Sequence, residues 1–292
     1  MTQTASLNAN PYSSAPTLAQ ALALPASAHV GQRIAKTLLI EQITNLPGTT
    51  PTDKRLANDL LAELHWLAAL KPSTCGLAAW QTDTHSYLEI AVLHAVLRPS
   101  PVKPTARHTA QQGRLFELIH RTIPYPVVLI ISHPSAGNTT DSIAQQLSLA
   151  HKRLPLGTSS AMVLEQVVTT KIIANYVTNT WTTCQFLQYI AFNHTASAPA
   201  PHLRNLHARY SDWLHAIEAL AAAEHTGQFS VSTTAPQAAH RRSALAAYDQ
   251  LGQQLASLRA QASKASQLAQ RAALNLKIVD LMTQHQTIRS GL

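Results

Sequence analysis

Between residues 30 and 45 the apolar side chains Val30, Ile34, Leu38, Leu39 and Ile43 recur at helical spacing, and Pro47-Gly48 stops the run. The next stretch reads the same way. Thr52-Asp53 offers an N-cap, Leu56, Leu60, Leu61, Leu64, Leu67, Ala68 and Leu70 form a broad stripe, and Pro72 ends it. After that the period shortens. Residues 87–97, 126–132, 143–152 and 162–169 are apolar runs of strand length, set apart by Pro, Gly, Asn or Ser, and predict a sheet. The turn-forming residues Pro134 to Asn138 predict a hairpin, so part of that sheet is expected to be antiparallel. Leu115, Leu118 and Ile119 share one face of a helix predicted over 111–122, which crosses between the first two strands.

From Tyr176 onward the pattern is helical again, with segments at 176–192 and 203–223, the latter closed by Gly227. With Tyr248 at position a, a heptad seam runs through Leu251, Leu255, Leu258, Ala262, Ala265, Ala269, Ala272, Leu276 and Val279 to Thr283. Four successive alanines bury little area, so such a helix needs a partner helix, with the 203–223 segment, another copy of the chain and another protein as the alternatives. The fold class expected is α+β: N-terminal helices and a mixed, partly antiparallel sheet, then a helical C-terminal region ending in a long coiled-coil-like helix. The divisions are a disordered N-terminus (1–17), an α/β domain (18–195) and a helical region (196–292).

Composition narrows the chemistry. Hydrophobic residues make up 46% and charged residues 12% of the 292, so the polar surface is built largely from Gln, Asn, Ser, Thr and 15 His. That is neither a charge-rich disordered chain nor a membrane protein. Apolar runs such as Val127 to Ile131 fall far short of the roughly 18 to 20 residues of a spanning helix. No Lys or Arg occurs in residues 1–25, and their apolar stretch is short and broken by Gln20, so no secretory leader is expected and the compartment expected is the cytoplasm. Cys75 and Cys184 make neither a disulfide framework nor a zinc site and read as buried thiols. A net charge of +8 favours an anionic partner such as nucleic acid.

No Walker or dinucleotide glycine loop, HExxH or GxSxG occurs. Glu89, Asp141 and Glu165 form no ExK arrangement for a metal-dependent nuclease. No catalytic residue, metal or cofactor is therefore assigned. Two cationic clusters remain: Arg33 with Lys36, one helical turn apart, and Lys152 with Arg153 beside His151. Each can grip a phosphate or nucleic-acid backbone, but the favoured reading is that Glu41, Asp53 or Asp59 neutralise them and hold helices to the sheet edge. Trp66, Trp181 and Trp213 read as core, while Trp80, near a turn, is suited to base stacking. In residues 239–292, Arg241, Arg242, Arg259, Lys264, Arg271, Lys277 and Arg289 stand against Asp249 and Asp280, seven minus two, a net +5. The seam residues Leu251, Leu255, Leu258, Leu276 and Val279 are thus the candidate assembly face, with a basic outer face that either meets an anionic surface or is simply solvated.

Read in order, Leu24-Pro25, Val30-x-Gln32-Arg33-Ile34-x-Lys36, Asp53-Lys54, Trp66-x-x-x-Leu70-Lys71-Pro72, Tyr87-x-Glu89-Ile90, Ile123-Pro124-Tyr125-Pro126, His151-Lys152-Arg153 and Thr226-Gly227 make a specific string. The chain resembles, from about Leu22 to Val279, a bacterial family of domains of unknown function, number four-three-nine-one. Ala35, where the family pattern tends to have proline, and an expanded linker from Pro99 to Thr109 are departures. The resemblance implies no established enzymatic activity and a gene neighbourhood of type III restriction-like methyltransferases and helicases, in loci that look like phage defence. The function expected is a non-catalytic accessory or adaptor subunit of a bacterial DNA-processing complex. Its expected partners are methyltransferase and helicase subunits and DNA, with homo-oligomerisation through the C-terminal helix as another route. The competing readings are a stand-alone basic nucleic-acid-binding protein and a nuclease-like enzyme built on Glu89.

Overall fold

The computed structural model describes residues 17–99, 105–134, 144–154, 162–173, 181–193 and 205–292. In chain order they form α1 (Leu18–Ala21), a 3-10 turn (Ala26–Ala28), β1 (His29–Ile34), α2 (Lys36–Asn45), α3 (Pro51–Leu60), β2 (Leu61–Leu70), α4 (Pro72–Cys75), β3 (Trp80–Gln81), β4 (Ser86–Tyr87) and β5 (Ile90–Leu97). Then follow α5 (Ala106–Thr122), β6 (Val127–His133), β7 (Ala144–Leu149), β8 (Lys152–Arg153), β9 (Val163–Leu164), β10 (Val168–Thr169), α6 (Trp181–Tyr189), α7 (Leu206–Thr226), α8 (Ala235–Lys264) and α9 (Leu268–Ser290). They fall into two compact units, Met1–Ser211 and Asp212–Leu292, with α7 leaving the first and continuing in the second.

The first unit is built on a six-stranded sheet in the order β1-β2-β5-β6-β7-β10. All neighbouring pairs are antiparallel except β5 and β6, which α5 connects as a parallel pair. Val127 to Ile131 and Ile90 to Leu93 are fully buried, which is why these central strands read as unbroken apolar runs and not as alternation. On one face Ala91, Leu93, Ala95, Leu97, Leu129 and Ile131 pack with Leu39 and Ile43 of α2 and Leu115, Phe116 and Ile119 of α5. The mixed, partly antiparallel sheet, the crossing helix and the helical C-terminal region are as the sequence predicts. The turn at 135–138 and the expected frayed start at 1–16 lie outside the described residues.

Two predicted helices are partly strand. Residues 30–45 divide into β1 and α2, with Gly31 at φ +65° and a register shift between His29 and Gln32 at the sheet edge. The stripe from Leu56 to Leu70 divides into α3 and β2. The β2 segment LAELHWLAAL is rich in helix formers, but it lies between β1 and β5 and pairs with both, so ladder bonds on two sides override propensity. Its register shifts at Leu61/Glu63 and Trp66/Ala68 blur the alternation that would have announced a strand. The N-cap of α3 is Thr50, in a reciprocal capping box with Asp53. Among the tryptophans, Trp213 is buried and Trp66 packs half-buried on the core, whereas Trp181 is 75% exposed. Cys75 and Cys184 are free and half-buried.

The second unit contains the end of α7 with α8 and α9. The seam does not run through one continuous helix: the backbone leaves helical geometry at Ala265 and Gln267, and α9 folds back on α8. The pairing is antiparallel, since Tyr248 stacks on His285 with ring centroids 3.8 Å apart and the Arg259 guanidinium meets the Met282 sulfur at 3.6 Å. On α8 the predicted register holds: Leu255 and Ala262 are buried, and Tyr248, Leu251 and Leu258 are half-buried. On α9 it does not. The inward residues there are Leu274, Ile278, Leu281, His285 and Ile288, and the predicted seam residues Leu276 and Val279 are exposed.

Candidate functional site

Several of the segments that carry the family resemblance meet beyond one end of the sheet. The β3–β4 hairpin presents Trp80, His85 and Tyr87; β8 and β9 pair antiparallel as a small two-stranded sheet with His151 before it and Glu165 after it; the start of α7 adds His207 and Tyr210. The two small sheets are stitched together by the Leu154 N–H donating to the Thr84 carbonyl (2.7 Å). The side chains then interlock. Trp80 stacks on His207 at 3.9 Å, Tyr87 meets His207 edge-on at 4.8 Å, His151 lies 5.6 Å from His207, and His85 pairs with Glu165 at 3.3 Å. The Tyr87 hydroxyl and His151 Nδ1 share a short hydrogen bond. The Tyr210 hydroxyl accepts from the Ala150 N–H (2.9 Å) and donates its proton toward the carbonyls of Val127 and Ala150.

Beneath this cluster lies Lys152, fully buried, its ammonium donating to the carbonyls of Ile123 (2.5 Å) and Tyr125. Those carbonyls alternate with Pro124 and Pro126, which have no N–H of their own, so the lysine organises the proline segment ahead of β6. Burial pushes its ammonium down to about 7. Burial also pushes the Tyr87 and Tyr210 phenols well above the usual tyrosine range, so both stay neutral hydrogen-bonding groups. Glu89, the carboxylate of the nuclease-like reading, pairs with Lys71 at 3.2 Å. Chemically the arrangement joins Lys71 to Glu89, Tyr87 to His151 and Lys152 to the proline segment, leaving Trp80 and His207 half-exposed as a paired ring surface.

A second polar network sits on the sheet. The Ser132 hydroxyl accepts from Gln145 Nε2 (2.9 Å) and shares a hydrogen bond with His94 Nε2 (2.8 Å), and the Leu18 N–H donates to Gln145 Oε1 (2.7 Å), tying α1 to β7. Burial lowers the His94 pKa. Among the described residues no group of three His, Cys, Asp or Glu stands close enough to hold a metal ion, and no helix is long and apolar enough to cross a membrane.

The four cations singled out in the sequence are not one site. Arg33 and Lys36 belong to the β1 edge, while Lys152 and Arg153 follow β7, the fifth strand, about 19 Å away at ordinary strand spacing. Arg33 pairs with Glu63 (3.2 Å), and Lys36 donates to the carbonyls of Asn58 and Leu61 (2.6 Å each), closing α3. Lys152 is committed to carbonyls as well, so two of the four are backbone caps. Sequence reasoning placed His151 only beside Lys152 and Arg153 and did not join it to His85 and His207, which come from segments far apart in the chain. The available signal was that Tyr87 and His151 both lie inside resemblance motifs.

One family, described as a domain of unknown function, matches residues 22–284. No curated protein and no solved structure matches the chain.

Proposed function

The chain belongs to the DUF4391 family of domains of unknown function, and from that premise we propose that it is a non-catalytic adaptor subunit of a bacterial DNA-processing complex, docking a helix of a methyltransferase or helicase partner on the outward face of α9. The observation that carries the reading is that α9 has two apolar faces. One is paired with α8; on the other, Leu268, Leu276 and Val279 are 83, 75 and 62% exposed. An apolar stripe on a helix whose opposite face already secures the hairpin has no folding role, and stripes of this kind mark protein-binding surfaces. Ala269 and Ala272 lie between Leu268 and Leu276, leaving room for close helix approach. Arg271 and Lys277 on the same helix favour an acidic occupant. The identity of the partners comes from the gene neighbourhood that the family resemblance implies.

The test is co-expression with methyltransferase and helicase subunits from the same host. Leu276→Asp with Val279→Asp is expected to abolish co-purification while leaving the thermal unfolding midpoint at its wild-type value. Retention of the partner by the double variant rejects the reading. A smaller solution size of the variant in the absence of any partner assigns the face to self-association instead.

A further inference from the structure

Within the first unit, α2 and α3 form an antiparallel helical hairpin, fixed by Lys36 at the start of α2 bonding the Asn58 and Leu61 carbonyls at the end of α3. Its inner side is filled. Leu39 and Ile43 of α2 and Ala57 of α3 pack with Leu115, Phe116 and Ile119 of α5, and Asp53 accepts from Arg114. Its outer side carries a groove of about 670 Å³ whose lining residues all belong to α2 or α3. From α2 come Thr37, Ile40, Glu41 and Thr44; on α3 the same i, i+3, i+4, i+7 spacing, starting at Pro51, brings in Lys54 and Arg55. Between Thr37 and Thr44 the wall runs about 10 Å, two helical turns.

The charges in this groove are unpaired. Lys54, Arg55 and Glu41 are exposed, and among the described residues none of the three forms an ion pair. Lys36 and the Asp53–Arg114 pair hold both helices in place, so the groove is pre-formed. In the motif Asp53-Lys54 the first residue thus secures α3 to α5, and the second is left to the outer groove. The inner side shows what such a pair of ridges takes: a helix, α5, seated on apolar residues and keyed by one charge pair. The outer side offers the same parts with the sign reversed, cations on the hairpin where the inner side has a carboxylate. Half-buried Ile40 and the Pro51 ring supply an apolar floor. A nucleic-acid backbone would be repelled by Glu41 and would gain nothing from that floor. We propose that this groove docks an amphipathic helix of a partner protein, its apolar seam on Ile40 and Pro51 and its carboxylates facing Lys54 and Arg55. This goes beyond the adaptor reading and does not depend on the outward face of α9.

The experiment is fluorescence anisotropy of the full chain with two labelled helical peptides of about 15 residues. They share one leucine seam, flanked by glutamates in one and by lysines at the same positions in the other. The glutamate peptide is expected to bind saturably, and the lysine peptide roughly tenfold more weakly. Lys54→Glu with Arg55→Glu should reverse that preference, which the net positive charge of the whole chain cannot do. Thr44→Trp, which fills the groove from an exposed position without a change of charge, should weaken both peptides at least several-fold. Leu276→Asp with Val279→Asp should leave both affinities at their wild-type values, so failure of the α9 face and failure of the groove are read separately. No saturable binding of either peptide at millimolar concentration, a glutamate preference that survives the charge reversal, or wild-type affinity in Thr44→Trp overturns the groove as a helix site. Binding of a labelled DNA duplex that the charge reversal abolishes, with neither peptide bound by the wild type, overturns it in favour of a nucleic-acid contact.

Discussion

Asp53 stands at the third position of α3, accepts from the Thr50 N–H, and faces Arg114 of α5 at 2.9 and 3.0 Å. The Arg114 hydrogen bonds outweigh burial and hold its carboxyl down at about 2. A carboxylate whose pKa falls on folding contributes stability above its unfolded value and loses it as acid protonates it. Urea unfolding should therefore show about 2 kcal/mol lost between roughly pH 4 and pH 2, and Asp53→Asn should remove that component. His120 acts over a different window. It is fully buried with Nε2 on the Ser148 hydroxyl (3.0 Å), and burial pushes its pKa down to about 3. The unfolded chain binds this proton and the folded one resists it, so stability should fall as pH drops from about 6.5 toward 3. The slope approaches 1.4 kcal/mol per pH unit, and His120→Gln should flatten it; an unchanged slope would place the loss elsewhere. Gly113, mid-helix in α5, would meet nothing within 4 Å on gaining a Cβ. Gly113→Ala should raise unfolding stability by about 0.5 to 1 kcal/mol. At this scale the sequence named both partners of few contacts. Asp53 was visible as a candidate counter-ion, but Arg114, 61 positions away, was not.

At the scale of elements the hairpin separates what the heptad reading placed on one seam. Leu255 is 5% exposed and Leu276 is 75% exposed. Leu255→Asp puts an unpaired charge into the α8–α9 contact and should destabilise the hairpin by several kcal/mol. Leu276→Asp should stay within about 0.5 kcal/mol of wild type. Paired thermal and chemical unfolding of the two variants checks the contrast; equal losses would restore the continuous seam. The reason the turn was illegible is local: Lys264, Ala265, Ser266 and Gln267 include neither Gly nor Pro, so nothing in them announces a break. The strands β5 and β6 were legible because burial on both faces leaves an apolar run. Strand β2 was not, because its leucines and alanines are helix formers held in a sheet by their neighbours.

For the whole molecule, the sheet-centred unit and the helical unit carry different parts of the account. The first holds the convergence of Lys71, Tyr87, Glu89, His151 and Lys152, a meeting of distant segments that topology creates and no local spacing foretells. Motif order in the sequence was enough to mark the family, since the string of short patterns survives even where the elements under them were misassigned. The second unit holds the bare stripe on α9, and the central claim, that this stripe docks a partner helix, stands on its accessibility in the assembled complex. Site-specific photo-cross-linking reads that directly. A photoreactive residue placed at position 276 or 279 in the native host should give an adduct with a methyltransferase or helicase subunit, and one placed at the inward position 281 should give none. If positions 276 and 279 yield no partner adduct while the protein still co-purifies with that partner, the outward face of α9 is not the docking surface and the adaptor account fails.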